Sequence, residues 1–344
     1  MLIETSPLRI ALFGAGRMGK IHAQNLAFHS GVELACVVDS DGEAAARLAQ
    51  AHGVAAWLED AVFSDIGIAA VVIASAAVSH PHLIRRALAS GKAIFCEKPL
   101  ARDYETVASL AAEVETARVP FLLGFNRRFD PDFAALAARV HSGEIGKPEL
   151  LVLTSRDPAP PPIDYVRLAG GILRETTIHD IDVARWITGE EPVSVQAAGS
   201  ALADPEMAQA GLIDTVSLTL TMRSGALVSI NNSWRAIYGY DQRVEVLGPA
   251  GMLQVANKTR HGVIRTDASG MTSANPEHFF LERYADAYRL ELDAFIVALR
   301  SGGVRHSWSQ RRYAGAFNST GCGGIHSYGF RGDTWLMMMR KDTQ

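Results

Sequence analysis

The first third of the chain alternates short apolar runs with Ala-rich stretches, and this alternation restricts the fold more than any other feature. The apolar runs are rich in β-branched and aromatic residues and occupy positions 9–13, 33–39, 69–75, 93–97 and 120–125. Between them lie stretches with helical spacing, such as "DGEAAARLAQAHG" and "HPHLIRRALASGK". Strands that are apolar on both faces and separated by helices predict an α/β fold with a parallel sheet covered by helices.

After Phe125 the pattern changes from this alternation to segments with a period of two. Two pairs of such segments are separated by the short turns "RSG" and "PAG", which predicts two hairpins in an antiparallel or mixed sheet. A long helical pattern over residues 279–302 follows them. We therefore expect two domains with a boundary near residues 124–126.

Composition narrows the class of protein. The 344 residues suit two domains, and the net charge of −4, without a basic block, does not favour nucleic acid as a partner. Cys36, Cys96 and Cys322 are far apart, which argues against a disulfide framework and fits a reducing compartment. The longest apolar run, residues 66–78, is too short to cross a membrane. A cytoplasmic protein that acts on a small polar substrate is the expectation.

A glycine loop follows the first predicted strand and opens a helix. In "FGAGRMGKIHA", Gly14 permits a tight turn, Gly16 lets a pyrophosphate approach the backbone, and Gly19 allows close packing of helix and strand. Asp39 ends the second strand, 39 − 19 = 20 residues after Gly19, the spacing at which an acid binds the adenosine ribose. Its charge would repel a 2′-phosphate, which favours NAD over NADP. The alternative is an ordinary helix cap with Asp39 starting a turn.

Glu97, Lys98 and Pro99 follow the fourth of these strands. The carboxyl ends of parallel strands are where open α/β sheets bind ligands, so Lys98 is expected near the cofactor. An ammonium group there can hydrogen-bond a substrate oxygen and stabilise a developing alkoxide. The alternative is a solvent-exposed lysine in a loop.

The segment Gly170–Trp186, "GGILRETTIHDIDVARW", concentrates acids around one histidine. On a single α-helix, Glu175, His179, Asp182 and Trp186 would share one face, with an acid one turn before a base. Such an arrangement suits removal of a proton from an alcohol. Three alternatives compete: a metal site, which two ligands do not complete, so that no metal is expected; acids that favour a helix N-terminus; and a buried structural histidine.

These motifs in combination resemble the Gfo/Idh/MocA oxidoreductases, and several runs are closer still to the bacterial inositol dehydrogenase branch. Those runs are "EKPLARD", "GFNRRFDPDF", "SRDPAPPPIDYVR", "TIHDIDVARW" and "YGYDQRVEVLG". The resemblance implies an N-terminal Rossmann domain with a doubly wound parallel sheet (residues 1–124) and a second α/β domain with a large, open, mostly antiparallel sheet (125–303). It also implies NAD-linked oxidation of a polyol or sugar, and a homotetramer built through the open sheets.

The resemblance assigns roles to individual residues. Lys98 and His179 match the catalytic lysine and histidine of inositol dehydrogenases, and Glu175 stands, one methylene longer, where those enzymes have an aspartate. Arg127, Asp157 and Tyr238 match positions near the polyol; Tyr240 is an equally good candidate ring, and a surface pair of arginines is the alternative for Arg128. The expected cofactor contacts are Gly14, Gly16, Arg17, Met18, Gly19, Asp39, Ser75, Glu97 and Lys98.

The expected reaction is NAD-dependent oxidation of myo-inositol to its 2-keto form, scyllo-inosose, with His179 as the general base. A dehydrogenase of another cyclic polyol or sugar, such as scyllo-inositol or glucose, and a non-catalytic NAD-binding sensor are the alternatives. Residues 304–344 lack the Ala-rich helix with which the family normally ends. Our hypothesis for them is a change of reading frame that leaves a poorly ordered tail.

Overall fold

A computed structural model describes residues 6–301 and 326–329, and the chain forms two units. The first unit contains the described residues up to Asn126 and those from Tyr288 to Ser301, and the second contains Arg127–Ala287 and residues 326–329. Across the described part of the chain, every helix is too short or too polar to span a bilayer.

The first unit is built on one parallel sheet. Its strands are β1 (Leu8–Phe13), β2 (Val32–Val38), β3 (Ala55–Ala56), β4 (Ala70–Ile73), β5 (Ala93–Glu97) and β6 (Phe121–Gly124). Its helices up to that point are α1 (Arg17–Phe28), α2 (Gly42–Ala51), α3 (Glu59–Ser64), α4 (His80–Ala89) and α5 (Tyr104–Ala117). The strand order β3-β2-β1-β4-β5-β6 reverses direction at β1, which makes the sheet doubly wound, as predicted.

Local sequence explains these elements well. Strands β4 and β5 are buried along their whole length, because helices cover both faces of the sheet. Asp41 and Asp103 begin α2 and α5 by accepting backbone N–H groups of the first turn, the usual way to satisfy a helix start. The two-residue strand β3 is the exception, since its exposed alanines carry no strand pattern.

The second unit is built on a mixed sheet. Its strands are β7 (Leu150–Arg156), β8 (Pro192–Ser200), β9 (Thr215–Met222), β10 (Leu227–Ser233), β11 (Asp241–Gly248), β12 (Gly251–Val255) and β15 (His326–Gly329), and β13 (Ile264–Asp267) pairs separately with β14 (Gly270–Ser273). The order of the large sheet is β12-β11-β7-β10-β9-β8-β15, antiparallel except for the β7–β10 pair. Both predicted hairpins are present, as β9–β10 and β11–β12.

Helices cover one face of this sheet and enclose the second core. They are α6 (Pro131–His141), α7 (Ile163–Ala169), α8 (Ile178–Thr188) and α9 (Pro205–Gln209), each with residues in that core; the short helix α10 (Phe280–Arg283) follows the sheet in the chain. Asp130 caps α6, and Pro131 occupies its first turn, where a missing N–H costs nothing. Strands β9 and β10 alternate buried and exposed residues, so one face of the sheet packs on the helices and the other remains open.

The last described helix, α11 (Ala285–Arg300), differs from the sequence-based expectation. The sequence pattern predicted that the whole helix belongs to the second domain. In the structure, its residues from Tyr288 onward belong to the first unit. Its ring contacts explain why: Phe295 lies edge-on to Phe95 of β5 at 5.8 Å, and Tyr288 lies edge-on to His22 of α1 at 6.3 Å. Of the atypical tail, residues 304–344, only His326–Gly329 is among the described residues, so the reading-frame hypothesis stays a prediction.

Candidate active site

The glycine loop forms a tight connection between β1 and α1. Gly14 adopts φ +111°, a conformation that side chains rarely tolerate, and a Cβ there would lie 2.5 Å from the carbonyl oxygen of Ala74, just after the neighbouring strand β4. A Cβ on Gly19 would lie 1.9 Å from the carbonyl oxygen of Gly14. Gly16, in contrast, is exposed, and a Cβ there would have no neighbour within 4 Å. The loop is therefore packed against the sheet but open at Gly16.

Asp39 fixes the loop from the end of β2. Its Oδ2 accepts the backbone N–H of Ala15 at 2.7 Å, and its Oδ1 accepts the N–H of Asp41 at 2.9 Å. The N-cap of α2 is Asp41, so the alternative that Asp39 is only a helix cap is wrong. The carboxylate lies beside the glycine loop, where it would meet a ribose or repel a phosphate group.

Ser75 lies just after β4 of the same sheet, and Glu97 and Lys98 lie at and just after the end of β5. Ser75 follows β4 and its hydroxyl shares a hydrogen bond of 2.7 Å with Ser79. Glu97 is buried at the end of β5, and Lys98 comes next, partly buried, joined to Pro99 by a cis peptide bond. The first unit therefore brings the predicted cofactor residues and the predicted catalytic lysine to one edge of its sheet.

The segment with the crowded acids is not one regular helix. Residues Leu173–Thr177 form a single π turn, in which the N–H of Ile178 bonds the carbonyl of Leu173, and α8 starts only after it. Glu175 lies in the π turn and His179 in the first turn of α8, both partly buried. The expected α-helical spacing from Glu175 to His179 is therefore wrong, because a π turn advances each side chain by a smaller angle, whereas His179, Asp182 and Trp186 lie in the regular helix α8 as expected.

A buried polar network fixes the start of α8. Asp180 accepts hydrogen bonds from Arg127 Nη1 at 2.6 Å, from Ser155 Oγ at 2.7 Å and from Asn232 Nδ2 at 2.6 Å. The Oδ1 of that Asn232 accepts the hydroxyl of Thr177 at 2.7 Å. All five side chains are at least nine-tenths buried. The network joins β7, β10 and the turn before α6 to the segment that carries Glu175 and His179.

Arg128 and Asp182 form a second ion pair across the same elements. The guanidinium donates through Nε and Nη2 to the two oxygens of Asp182 at 2.8 and 2.7 Å. Asp182 is buried, so the interpretation of Arg128 as one of a surface pair is wrong. Asp182, which the sequence spacing placed on the same helix face as His179, thus forms an ion pair with Arg128. Among the described residues, no three His, Cys, Asp or Glu side chains meet as a metal site requires.

Asp157 and the two candidate tyrosines lie where β7, β10 and β11 end or begin. The backbone N–H of Asp157 donates to the carbonyl of Ser233 at 2.9 Å. Tyr238 is 39% exposed and its hydroxyl donates to Asp241 at 2.6 Å; burial and this hydrogen bond raise the pKa of Tyr238. Tyr240 is buried and packs edge-on against Tyr284, and burial and then the charge of Asp157 raise its pKa well above the usual value. Tyr240 is thus buried, whereas Tyr238 is partly exposed.

Comparison with known proteins assigns both units. Residues 8–125 match the model of an oxidoreductase family with an NAD-binding Rossmann fold, and residues 133–254 match the C-terminal domain of the Gfo/Idh/MocA proteins. This chain belongs to the Gfo/Idh/MocA oxidoreductase family. It is an NAD-dependent oxidoreductase, and the resemblance inferred from its motifs is confirmed.

Relatives of this Gfo/Idh/MocA protein are similar over most of their length. An inositol 2-dehydrogenase from Rhizobium meliloti is 42% identical over 295 residues, which cover 86% of this chain and 89% of the relative. The crystal structure of a myo-inositol dehydrogenase from Corynebacterium glutamicum is 42% identical with a TM-score of 0.84, covering 90% and 92% of the two chains. A scyllo-inositol dehydrogenase from Lactobacillus casei, solved with NAD(H) and scyllo-inositol, is 28% identical with a TM-score of 0.83, covering 90% and 93%.

The geometry of this Gfo/Idh/MocA protein fits its cofactor. The open space at Gly16 leaves room for a pyrophosphate, and α1 begins there with no side-chain cap on its first turn. Asp39 lies beside the loop as a partner for ribose hydroxyls. Gly14, Gly16 and Asp39 would hold the dinucleotide, whose nicotinamide supplies a hydride acceptor when bound.

Sequence reasoning missed several polar residues of the site. Asp180 was given no role of its own among the crowded acids, and Ser155, Asn232 and two buried histidines, His22 and His80, were not singled out. One signal was available: each histidine lies on the apolar stripe of its helix, with Ala23 and Leu26 beside His22 and with Leu83 and Ile84 beside His80. A polar side chain on a buried stripe needs a hydrogen-bond partner, so its position alone indicates a specific contact.

Proposed function

We propose that this enzyme oxidises a ring CH–OH group of an inositol, converting myo-inositol to its 2-keto form with NAD as the hydride acceptor. The observation that carries the proposal is the 42% identity over 295 residues to an inositol 2-dehydrogenase. Conservation of length supports it as well, because the match covers 89% of that relative, across both units. The bound NAD(H) and scyllo-inositol of the more distant Lactobacillus casei enzyme support the same substrate class.

The chemical division of labour is also a proposal. Oxidation of an alcohol removes a hydride from carbon and a proton from oxygen, so an enzyme of this kind needs a base for the hydroxyl proton. We assign that base to His179, assign its orientation to Glu175, and assign stabilisation of the oxygen to Lys98. The buried network around Asp180 supports the assignment of His179, because it fixes the residue next to the imidazole through three hydrogen bonds.

The polyol contacts are proposed at Asp157, Tyr238 and Arg127. Tyr238 suits this role because part of the ring is exposed while its hydroxyl is held by Asp241. Arg127 is only 3% exposed, and its Nη1 is already committed to Asp180 and Ser155. Its burial supports a second role, as a support for α8, in addition to any donor it offers the substrate.

The direct test is to incubate the purified protein with NAD and a panel of polyols and to follow NADH absorbance in the near ultraviolet. The panel contains myo-inositol, scyllo-inositol and glucose, each also tried with NADP. We expect myo-inositol with NAD to react fastest and the product to carry one ring ketone by mass spectrometry. A scyllo-inositol dehydrogenase is among the similar structures. Faster oxidation of scyllo-inositol would therefore make that isomer, and not myo-inositol, the preferred substrate. NADH binding without turnover of any polyol would overturn the proposal in favour of a sensor.

A further inference from the structure

Two buried histidines outside the proposed catalytic set contact the residues on either side of Lys98. His22 is fully buried, and its Nε2 lies 2.7 Å from Oε1 of Glu97. His80 is 1% exposed, and its Nδ1 lies 2.9 Å from the carbonyl oxygen of Pro99. One imidazole thus contacts the residue before Lys98, and the other contacts the residue after it.

Each histidine also lies beside a loop that would hold the dinucleotide. His22 lies in α1, the helix that begins at the glycine loop, three residues after Gly19. His80 begins α4, and its Nε2 lies 3.1 Å from the carbonyl oxygen of Ser75, in the loop that follows β4. Both links run entirely within the first unit.

The surroundings make these contacts directional. The other carboxylate oxygen, Oε2, lies beside the backbone of Gly124, where a Cβ would approach it to 3.0 Å, so the glycine leaves room for Glu97. Burial lowers the pKa of His80, although its contacts with the carbonyls of Pro99 and Ser75 oppose this. A neutral imidazole has one N–H, so His80 can donate to only one of the two carbonyls, and the Pro99 contact is the shorter. Rotating either ring would break its contact with Glu97 or with Pro99, and the loss of a buried hydrogen bond is costly.

We propose that His22 and His80 are positioning residues for Lys98, which they hold at a fixed place relative to the cofactor loops through Glu97 and Pro99. The inference rests on the proposed catalytic role of Lys98. Neither histidine is assigned a proton-transfer step. Their loss should lower kcat, because the ammonium group is displaced from the reacting oxygen, while the KM for NAD changes little.

The test is a double-mutant cycle. His22→Leu and His80→Leu, which remove the polar contacts at similar volume, are each made in the parent enzyme and in Lys98→Ala. We expect each histidine substitution to lower kcat about tenfold to a hundredfold in the parent, the scale expected for a displacement of about 1 Å. In Lys98→Ala, the same substitutions should lower the residual rate less than about twofold, since the group they position is absent.

Matched controls separate positioning from damage to the fold. His82→Leu removes an exposed histidine of α4, the helix that carries His80; its Nε2 bonds Glu59. This variant should leave kcat and the KM for NAD at parent values. His22→Gln and His80→Gln keep a donor and should recover part of the lost kcat. If a leucine variant does not fold, as judged by thermal unfolding and NADH fluorescence, the glutamine variant takes its place in the cycle.

The outcomes distinguish the inference from the function on which it rests. If Lys98→Ala keeps the parent kcat, or no polyol is oxidised, the proposed role of Lys98 is overturned and this inference with it. If Lys98→Ala is impaired but each histidine substitution costs the same factor in both backgrounds, the inference alone is overturned. Non-additive losses with an unchanged KM for NAD support it.

Discussion

In the buried polar network around Asp180, the substitution Asp180→Asn should destabilise the second unit more than any other single substitution that keeps the size of the side chain. Asp180 is 1% exposed and is the counter-charge of Arg127, which is 3% exposed. Removing one partner of a buried ion pair costs about 3–5 kcal/mol, because the other charge stays buried without compensation. The new amide raises this cost further, because all three partners of Asp180 are hydrogen-bond donors. The NH2 group of asparagine would face either Asn232 Nδ2 or the donors of Arg127 and Ser155, and it could bond none of them. We expect a loss of about 4 kcal/mol.

Denaturant-induced unfolding and thermal unfolding both measure this loss. For a unit of about 150–250 residues, 1 kcal/mol corresponds to about 2–4 °C, so the melting temperature should fall by roughly 8–16 °C. The matched control is Glu144→Gln, which breaks the exposed ion pair with Arg139 and should leave the melting temperature within experimental error, because exposed pairs contribute little.

A second variant tests the mechanism rather than the magnitude. Arg127→Met combined with Asp180→Leu removes both charges, and its cost should be smaller than the sum of the two single substitutions. The reasoning is refuted if Asp180→Asn lowers the free energy of unfolding by less than about 1 kcal/mol, since the guanidinium would then have another source of compensation.

Three further predictions follow from the same geometry. Glu175→Asp should raise kcat relative to the parent, because relatives of this branch are expected to have the shorter acid there, and an unchanged or lower rate in the NADH assay would count against a role for Glu175 in orienting His179. Asp39→Ser should lower the ratio of kcat/KM for NAD to that for NADP by tenfold or more, since it removes a charge that repels a 2′-phosphate; an unchanged ratio would show that another group excludes NADP. His80, which faces Glu97 and Lys98, has a lowered pKa through burial, so its neutral form stabilises the fold at neutral pH and that contribution is lost as the pH falls below about 6.5. The difference in unfolding free energy between the parent and His80→Gln should therefore shrink between neutral and acidic pH, and a difference independent of pH would contradict the lowered pKa.

Much of the first unit could be predicted from the sequence. Alternating apolar runs and Ala-rich helices indicate a covered parallel sheet, and the glycine loop with Asp39 indicates a dinucleotide site, because both signals depend on neighbours close in the chain. The two hairpins of the second unit were predictable for the same reason: the period of two and the short turns are local. Prediction failed where a local pattern was extended too far, as in the π turn before α8 and in the assignment of α11 to one domain.

The sequence by itself determined the fold class, the loop for the dinucleotide and the identity of the candidate catalytic groups. Only the tertiary structure decided which buried polar groups support them. Asp180 meets Arg127 and Asn232 across 53 and 52 residues, and His22 meets Glu97 across 75. Periodicity reports only on residues a turn or two apart in the chain. Which donor reaches a buried carboxylate depends on how strands from distant parts of the chain pack beside its helix, and the cost of burying an unpaired charge then holds that arrangement in place.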